Sequence, residues 1–361
     1  MILAQNHLQT LLLLIVSALC WGLWAAVYRK THKLRFELFY FDLALGAAIV
    51  AVICALTIGS LGFDGFSFMD DLMHASKRQW VFAFGAGVAF NLANMLVMGA
   101  ISVAGLSVAI PLGVGISSMF GMGITVLLGQ FGNPLWKFPG SACLLVAVIL
   151  VGVAYSLMIS ARQDKLVKEG KVKTANLPGY GRGMIVSTDA PSATKGLLLS
   201  VAAAALMWVM YPLLNFARAG ETGLGPYSCV FLFMSGVFLS TFIYNLFFLN
   251  LPVEGEPLEL IEFFRVRLTD HILGVIAGAI LCCALLAELV SEAGPPEAQV
   301  GTVMTYGIKQ ASILVAAVWG IWVWKDFRDA GPRIRALTVV FTGLMALGVL
   351  CMVLASVTAQ K

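Results

Sequence analysis

Ten blocks of apolar residues run along the chain, separated by short polar stretches: Leu8 to Val27, Leu38 to Gly59, Trp80 to Val103, Leu106 to Gly129, Pro139 to Ser160, Gly196 to Ala217, Pro226 to Leu249, Ile272 to Val290, Gln299 to Trp324 and Ile334 to Val357. Each is close to the ~20 residues an α-helix needs to cross a ~30 Å hydrocarbon core. The pattern predicts an all-α polytopic membrane protein with ten transmembrane helices. The first block has no basic segment before it and Arg29 and Lys30 after it, so it reads as a retained span and not as a secretory signal. Composition agrees: 60% of residues are hydrophobic and 12% charged, whereas charged residues approach a quarter of a soluble globular chain.

Polar residues inside the blocks carry the candidate chemistry. Lys309 stands near the middle of Gln299 to Trp324, where a charge costs at least ~2.5–3.5 kcal/mol and marks a functional site or a buried ion pair. Thr302, Thr305, Lys309 and Ser312 recur at helical spacing and form one polar stripe. Counted from Gln299, Lys309 lies ~15 Å into its span; Asp42 lies a turn and a half beyond Glu37 in the second span, and the two are expected to pair. Glu37 reads as an acid at a helix start. Glu288, next to Glu292 near the end of the eighth span, reads as interfacial, with a coupling role as its functional alternative.

Asn91 and Asn94 share a face of the third span with Gly87 and Met98, as interhelical glue or as cavity-lining groups. The fourth span holds Pro111, Gly113, Gly115, Ser117 and Ser118, which predicts a helix broken at mid-membrane. Ser17, Trp21, Trp24 and Tyr28 lie on one face of the first span, and Trp208, Tyr211 and Asn215 form an echoing face on the sixth. Tyr28 suits an interfacial aromatic, while Trp21 could pack or stack on a flat ligand.

Between spans, Lys and Arg gather in the odd-numbered loops (Arg29, Arg35, Lys165, Lys195, Arg265 and Arg333 among them), and few lie on the other side. The positive-inside rule places those loops in the cytoplasm and both termini outside, in a multi-pass cell (inner or plasma) membrane protein. The segment 161–194 is the longest polar stretch and divides the chain into repeats 1–160 and 195–361; its start, ARQDKLVKEGKVK, can extend the fifth helix, and NLPGYGRG reads as turns. The stretch PLELIEFFRVRL suits a short helix lying on the membrane. The seven cysteines fall inside spans without metal-ligand spacing, and the four histidines at span ends or in loops. No G-x-x-x-x-G-K-[ST] motif and no intramembrane histidine–acid or Ser/Cys–His set is visible, so neither an ATPase nor an intramembrane enzyme is expected, nor a metal, a cofactor or a nucleic-acid partner. Five spans per half is an odd number, so a duplicated unit must insert with opposite orientation, and both halves carry a Gly-containing turn between their third and fourth spans (Ala104-Gly105, Ala293-Gly294).

Several segments carry a family resemblance. FELFYFD (Phe36 to Asp42), the G-x-x-x-N-x-x-N of Gly87, Asn91 and Asn94, the GLS of Gly105 to Ser107 and the FPG of Phe138 to Gly140 resemble the ureide permeases, of the drug/metabolite transporter superfamily. WKDFRDAGPR (Trp324 to Arg333) and the position of the central loop are similar to the rhamnose-proton and glucose/ribose porters. The plant ureide permeases carry a nucleotide-binding-like motif in that loop, which this chain lacks. The resemblance implies two inverted five-helix repeats and uptake of a small polar solute, a ureide, nucleobase or sugar, with protons as coupling ion. In that role Trp21, Trp208 and Tyr211 would face the solute, Asn91, Asn94, Ser117 and Thr305 would hydrogen-bond it, Lys309 would act as donor, and Asp42, Lys309 and Glu288 would couple ion to solute. An exporter of the same superfamily and a non-transporting scaffold are the competing readings; oligomeric state is open.

Overall fold

The computed structural model describes residues 1–32, 34–62, 65–127, 133–169, 174–175, 184–185, 193–300, 302–328 and 330–358. Its helices are α1 (His7–Leu23), α2 (Phe36–Leu56), α3 (Phe68–His74), α4 (Lys77–Ala104), α5 (Leu106–Leu127), α6 (Pro134–Lys168), α7 (Ala193–Arg218), α8 (Pro226–Asn250), α9 (Leu268–Glu292), α10 (Thr302–Trp319) and α11 (Pro332–Val357). Local signals set their starts. Asn6, Ser67 and Asn133 accept backbone hydrogen bonds at the N-termini of α1, α3 and α6, and Pro134 and Pro226 open α6 and α8, where a missing N–H costs nothing.

Among the described residues nine helices are long and apolar enough to cross a membrane, and α5 occupies the place of the expected fourth span with an apolar stretch through Met119. The distribution of side chains is that of a multi-pass membrane protein. On α1, Leu8, Leu12, Ile15 and Leu19 are exposed while Thr10 and Ser17 are buried, the reverse of a helix in water.

Four expectations about the elements meet different fates. α6 runs to Lys168, so ARQDKLVK does extend the fifth span, and Leu260–Arg265 is a short 3₁₀ turn leading into α9. The NLPGYGRG turns lie outside the described residues, which hold only a two-residue antiparallel pairing, Thr174–Ala175 with Met184–Ile185, from the central segment. The break expected at Pro111 does not occur: α5 passes through it as one helix. A proline removes a single bond to the carbonyl one turn before, and here that turn is already anchored, since the Ser107 N–H and hydroxyl both donate to Asp326 at 3.0 and 2.8 Å.

Loop contacts define two ends of the bundle. At the basic end, Arg29 meets Asp326, Arg35 donates to the Glu256 carbonyl and Lys195 to the Val253 carbonyl. At the far end, Met1 contacts the Gly62 and Phe66 carbonyls and Gly225 N–H donates to Asp71.

Inside, α2 packs on α9 and α4 on α8, α1 packs on α9 and α7 on α4, and α1 packs on α10 and α7 on α5. Two of these crossings are so close that backbones touch. A Cβ at Gly46 would overlap Val275 of α9, and one at Gly278 would overlap the Leu43 carbonyl of α2. Likewise a Cβ at Gly87 would overlap the Phe233 carbonyl of α8, and one at Gly236 the Phe84 carbonyl of α4. Each of the four glycines stands ten residues after the first residue of its helix: Phe36, Leu268, Lys77 and Pro226 respectively.

Candidate functional site

Lys309 has the partners its position demands, but they are not the one expected. Its ammonium lies 2.8 Å from Glu288 Oε1 and 2.5 Å from Glu292 Oε1, both on α9. Glu292 also accepts from Arg218 of α7 at 2.7 Å, and Glu288 Oε2 accepts from the Trp21 indole N–H of α1 at 2.9 Å. Four helices are thus tied by one network of two carboxylates and two cations, with no net charge. Side chains on a helix lean toward its N-terminus. α1 and α10 run from the far end and α9 runs from the basic end, so Trp21 and Lys309 lean one way and Glu288 leans the other, and they meet inside the bundle.

The predicted Asp42–Lys309 pair is therefore corrected. α10 begins at Thr302, not Gln299, which leaves Lys309 only ~10 Å from the start of its helix at the far end. Asp42 lies ~9 Å from the start of α2 at the opposite end, and its carboxylate sits 2.7 Å from His271 Nδ1. His271 stands in the first turn of α9, at a span end as expected. Glu288, read as interfacial, stands four residues from the end of α9 with its side chain 9% exposed. Glu37 stands in the first turn of α2, as expected of an acid at a helix start, and is buried and paired with Arg35 at 2.7 Å.

The remaining predicted site residues divide. Tyr211, half-buried on α7, lies within electrostatic reach of Glu288, Lys309 and Glu292, and Thr305 is half-buried one turn from Lys309 on α10. Trp208, on α7, is 42% exposed. Trp21 makes an edge-to-face contact with Phe90, ring centroids 5.8 Å apart.

Asn91 acts as glue, its amide donating to Ser240 and Thr241 of α8 at 2.8 and 3.1 Å. Asn94, one turn below Phe90, donates from Nδ2 to the Tyr40 hydroxyl at 3.0 Å. Its Oδ1 and the Ser117 hydroxyl are buried and make no hydrogen bond among the described residues. Val97 faces Gly113 across the α4–α5 contact, so Asn94 and Ser117 occupy the next turn of each helix toward the far end, level with one another. A buried polar atom left open costs about 1–3 kcal/mol. No group of three or more metal-ligating side chains occurs among the described residues.

At the basic end a second cluster closes the bundle. The Arg29 guanidinium lies over the Trp324 ring and 3.0 Å from Asp326, whose other oxygen holds Ser107. Burial pushes the Asp326 carboxyl above its usual range, and the Ser107 and Arg29 donors pull it back. Gly105, at φ +88°, and Gly320 give Asp326 room, since a Cβ on either would meet its carboxyl. Hydrogen bonds to charged groups contribute about 1.5–3 kcal/mol. Asp326→Ala is accordingly expected to raise amide exchange at Ser107 by about tenfold or more, measured by hydrogen–deuterium exchange; unchanged protection would mean the carboxylate does not hold this turn.

The ureide permease family model matches residues 39–181. Ureide permease 1 of Arabidopsis thaliana is 23% identical over 363 residues, covering 90% of this chain and 91% of that protein. Ureide permease 5 of the same plant is 25% identical over 381 residues, covering 91% and 90%. A solved structure described only as a crystal structure of a protein is similar in fold, with a TM-score of 0.55 and 16% identity over 99% of this chain and 100% of that one.

Proposed function

We propose that this chain is a permease of the ureide permease kind, carrying a small neutral metabolite with amide N–H and C=O groups, a cyclic ureide or a nucleobase, through a cell membrane. The observation that carries this reading is the charge-balanced Trp21–Glu288–Lys309–Glu292–Arg218 network where four helices meet, built around the buried Glu288; the bundle also holds the open Asn94 Oδ1 and Ser117 hydroxyl. Two acids and two cations leave no net charge for an ionic solute to neutralise, and desolvating an uncompensated ion is costly. The Asn94 amide nitrogen is occupied by Tyr40, so its free atom is an acceptor and favours a solute that donates. Full-length similarity to proteins named as ureide permeases points the same way, to transport and not to catalysis.

The reading extends to mechanism. Two repeats, 1–160 and 195–361, related by inversion would alternate access to the site from the two ends, with protons as the coupling ion and the basic end in the cytoplasm. Support comes from the matched neighbours and from the four glycines at equal positions in α2, α4, α8 and α9. α5 is the fourth of ten spans on this scheme.

The test is thermal stabilisation of the detergent-purified protein by allantoin, uracil, purines, rhamnose, ribose and glucose. A ligand at a hundredfold excess over its dissociation constant contributes ~2.7 kcal/mol. Allantoin or a nucleobase is expected to raise the melting temperature, and the sugars to leave it unchanged. Stabilisation by a sugar alone would overturn the solute class, and no shift with any of them would count against the permease reading.

A further inference from the structure

We infer that the Asp42–His271 pair is the proton-binding site of the transport cycle, separate from the solute site and linked to it through α9. The inference rests on the permease reading above. His271 stands in the first turn of α9 and Asp42 in the second turn of α2, both at the basic end. The Asp42 side chain is 5% exposed and that of His271 22%, so the carboxylate is shielded while part of the imidazole is left uncovered by the protein. Nδ1 lies 2.7 Å from Asp42 Oδ2; an ionised Asp42 can only accept, so Nδ1 then carries the hydrogen and the lone pair is left on Nε2, the atom that takes the proton. The product is an imidazolium paired with a carboxylate; on release Nε2 returns the proton and the hydrogen bond to Asp42 remains.

Two influences oppose each other at this position. A helix N-terminus disfavours a positive charge, and the adjoining carboxylate favours it.

The neighbouring charges are otherwise engaged. On the same helix Asp270 meets His32 at 3.0 Å; on α2 Glu37 meets Arg35; in the Leu260–Arg265 turn, whose Phe263 ring packs on His271, Glu262 meets Arg265 at 2.6 Å. In the Trp24–Lys30 segment Arg29 is held by Asp326, whereas Lys30, like Arg267 before α9, is exposed; α8, packed on the other side of α2, has no charged residue. Asp42 is thus the one carboxylate hydrogen-bonded to His271 among the described residues.

The link to the solute site is geometric. Gly274 lies against the Asp42 side chain and Gly278 against the Leu43 carbonyl, so α2 and α9 touch where the pair forms. Glu288 stands on the same helix, 17 residues or about 25 Å farther along. A change of charge at His271 alters the α2–α9 contact at one end of a continuous helix whose other end holds the network around Lys309.

The test uses the full chain in proteoliposomes with the membrane potential clamped at zero and uracil and allantoin as probes. The wild type is expected to accumulate its solute when the outside is acid, up to about tenfold per pH unit for one proton per solute. His271→Lys keeps a cation beside Asp42 but fixes its charge, and Asp42→Asn removes the acceptor. Both are expected to exchange solute across the membrane yet accumulate none.

If either variant accumulates solute as the wild type does, the proposal is overturned. It is equally overturned if the wild type only equilibrates the probe whatever the pH, an outcome that leaves the permease reading standing. If the wild type moves neither probe, the permease reading falls first and this one with it. His271→Lys by itself decides the matter should Asp42→Asn not fold, because a merely structural pair would be preserved by the lysine.

Discussion

Replacing Lys309 by methionine is expected to destabilise the protein by about 3–5 kcal/mol, the usual cost of removing one partner from a buried ion pair. The reason lies in what remains. Glu288 would keep only the Trp21 indole, and Glu292 only Arg218, so a carboxylate without a cation would be left inside the bundle. The loss should therefore be largely recovered by adding Glu288→Gln, which removes that charge and keeps an acceptor for Trp21. Denaturant unfolding of the three proteins in one detergent checks this, and a Lys309→Met protein as stable as the wild type would mean the contacts at 2.8 and 2.5 Å do not form in solution. The double variant separates structure from site: it is expected to fold and yet not to be stabilised by the solute that stabilises the wild type.

The second large effect is expected at Gly278. An alanine there places its Cβ on the Leu43 carbonyl of α2, and a backbone atom cannot rotate out of the way as a side chain can. Overpacking costs about 1–3 kcal/mol and more where the backbone itself must move, so Gly278→Ala should lower stability by at least the upper part of that range. Gly87→Ala should do the same through Phe233. Gly85→Ala, two residues away on a face with nothing within 4 Å, is the control. There the better helix propensity of alanine predicts no loss or a gain of up to about 1 kcal/mol. Equal effects at 85, 87 and 278 would refute the backbone contacts.

How far these features can be read from the sequence differs from residue to residue. That Lys309 needs a compensating acid follows from burial alone. Which acid supplies it depends on where α10 begins and on how side chains lean, and a three-residue error in that start is enough to bring Asp42 falsely into reach. Glu288 and Glu292 look interfacial because they sit near a helix end, and Arg218 looks like a loop charge for the same reason, yet tilted side chains draw all three into one network. Trp21 and Trp208 look alike by spacing; only packing shows that the first bonds Glu288 while the second is exposed.

The pairing of Asp42 with His271 had a signal, an acid in the second turn of one span and a histidine in the first turn of another at the same end. It was hidden because histidines at span ends usually meet solvent. The apolar blocks, by contrast, are set by bilayer thickness, a property of the solvent, and they translate directly into helices.

The four matched glycines bear on energy levels as well as on packing. Under the inverted-repeat reading, the state open to one side and the state open to the other are assembled from the same two seams with their roles exchanged, and they lie close in free energy. The resting preference of the empty carrier then comes from what the repeats do not share: Arg29, Asp326 and Ser107 at one end against Arg218 and Glu292 at the other. Since about 1.4 kcal/mol is a tenfold change in population, a single one of these contacts is enough to decide on which side of the membrane the carrier waits.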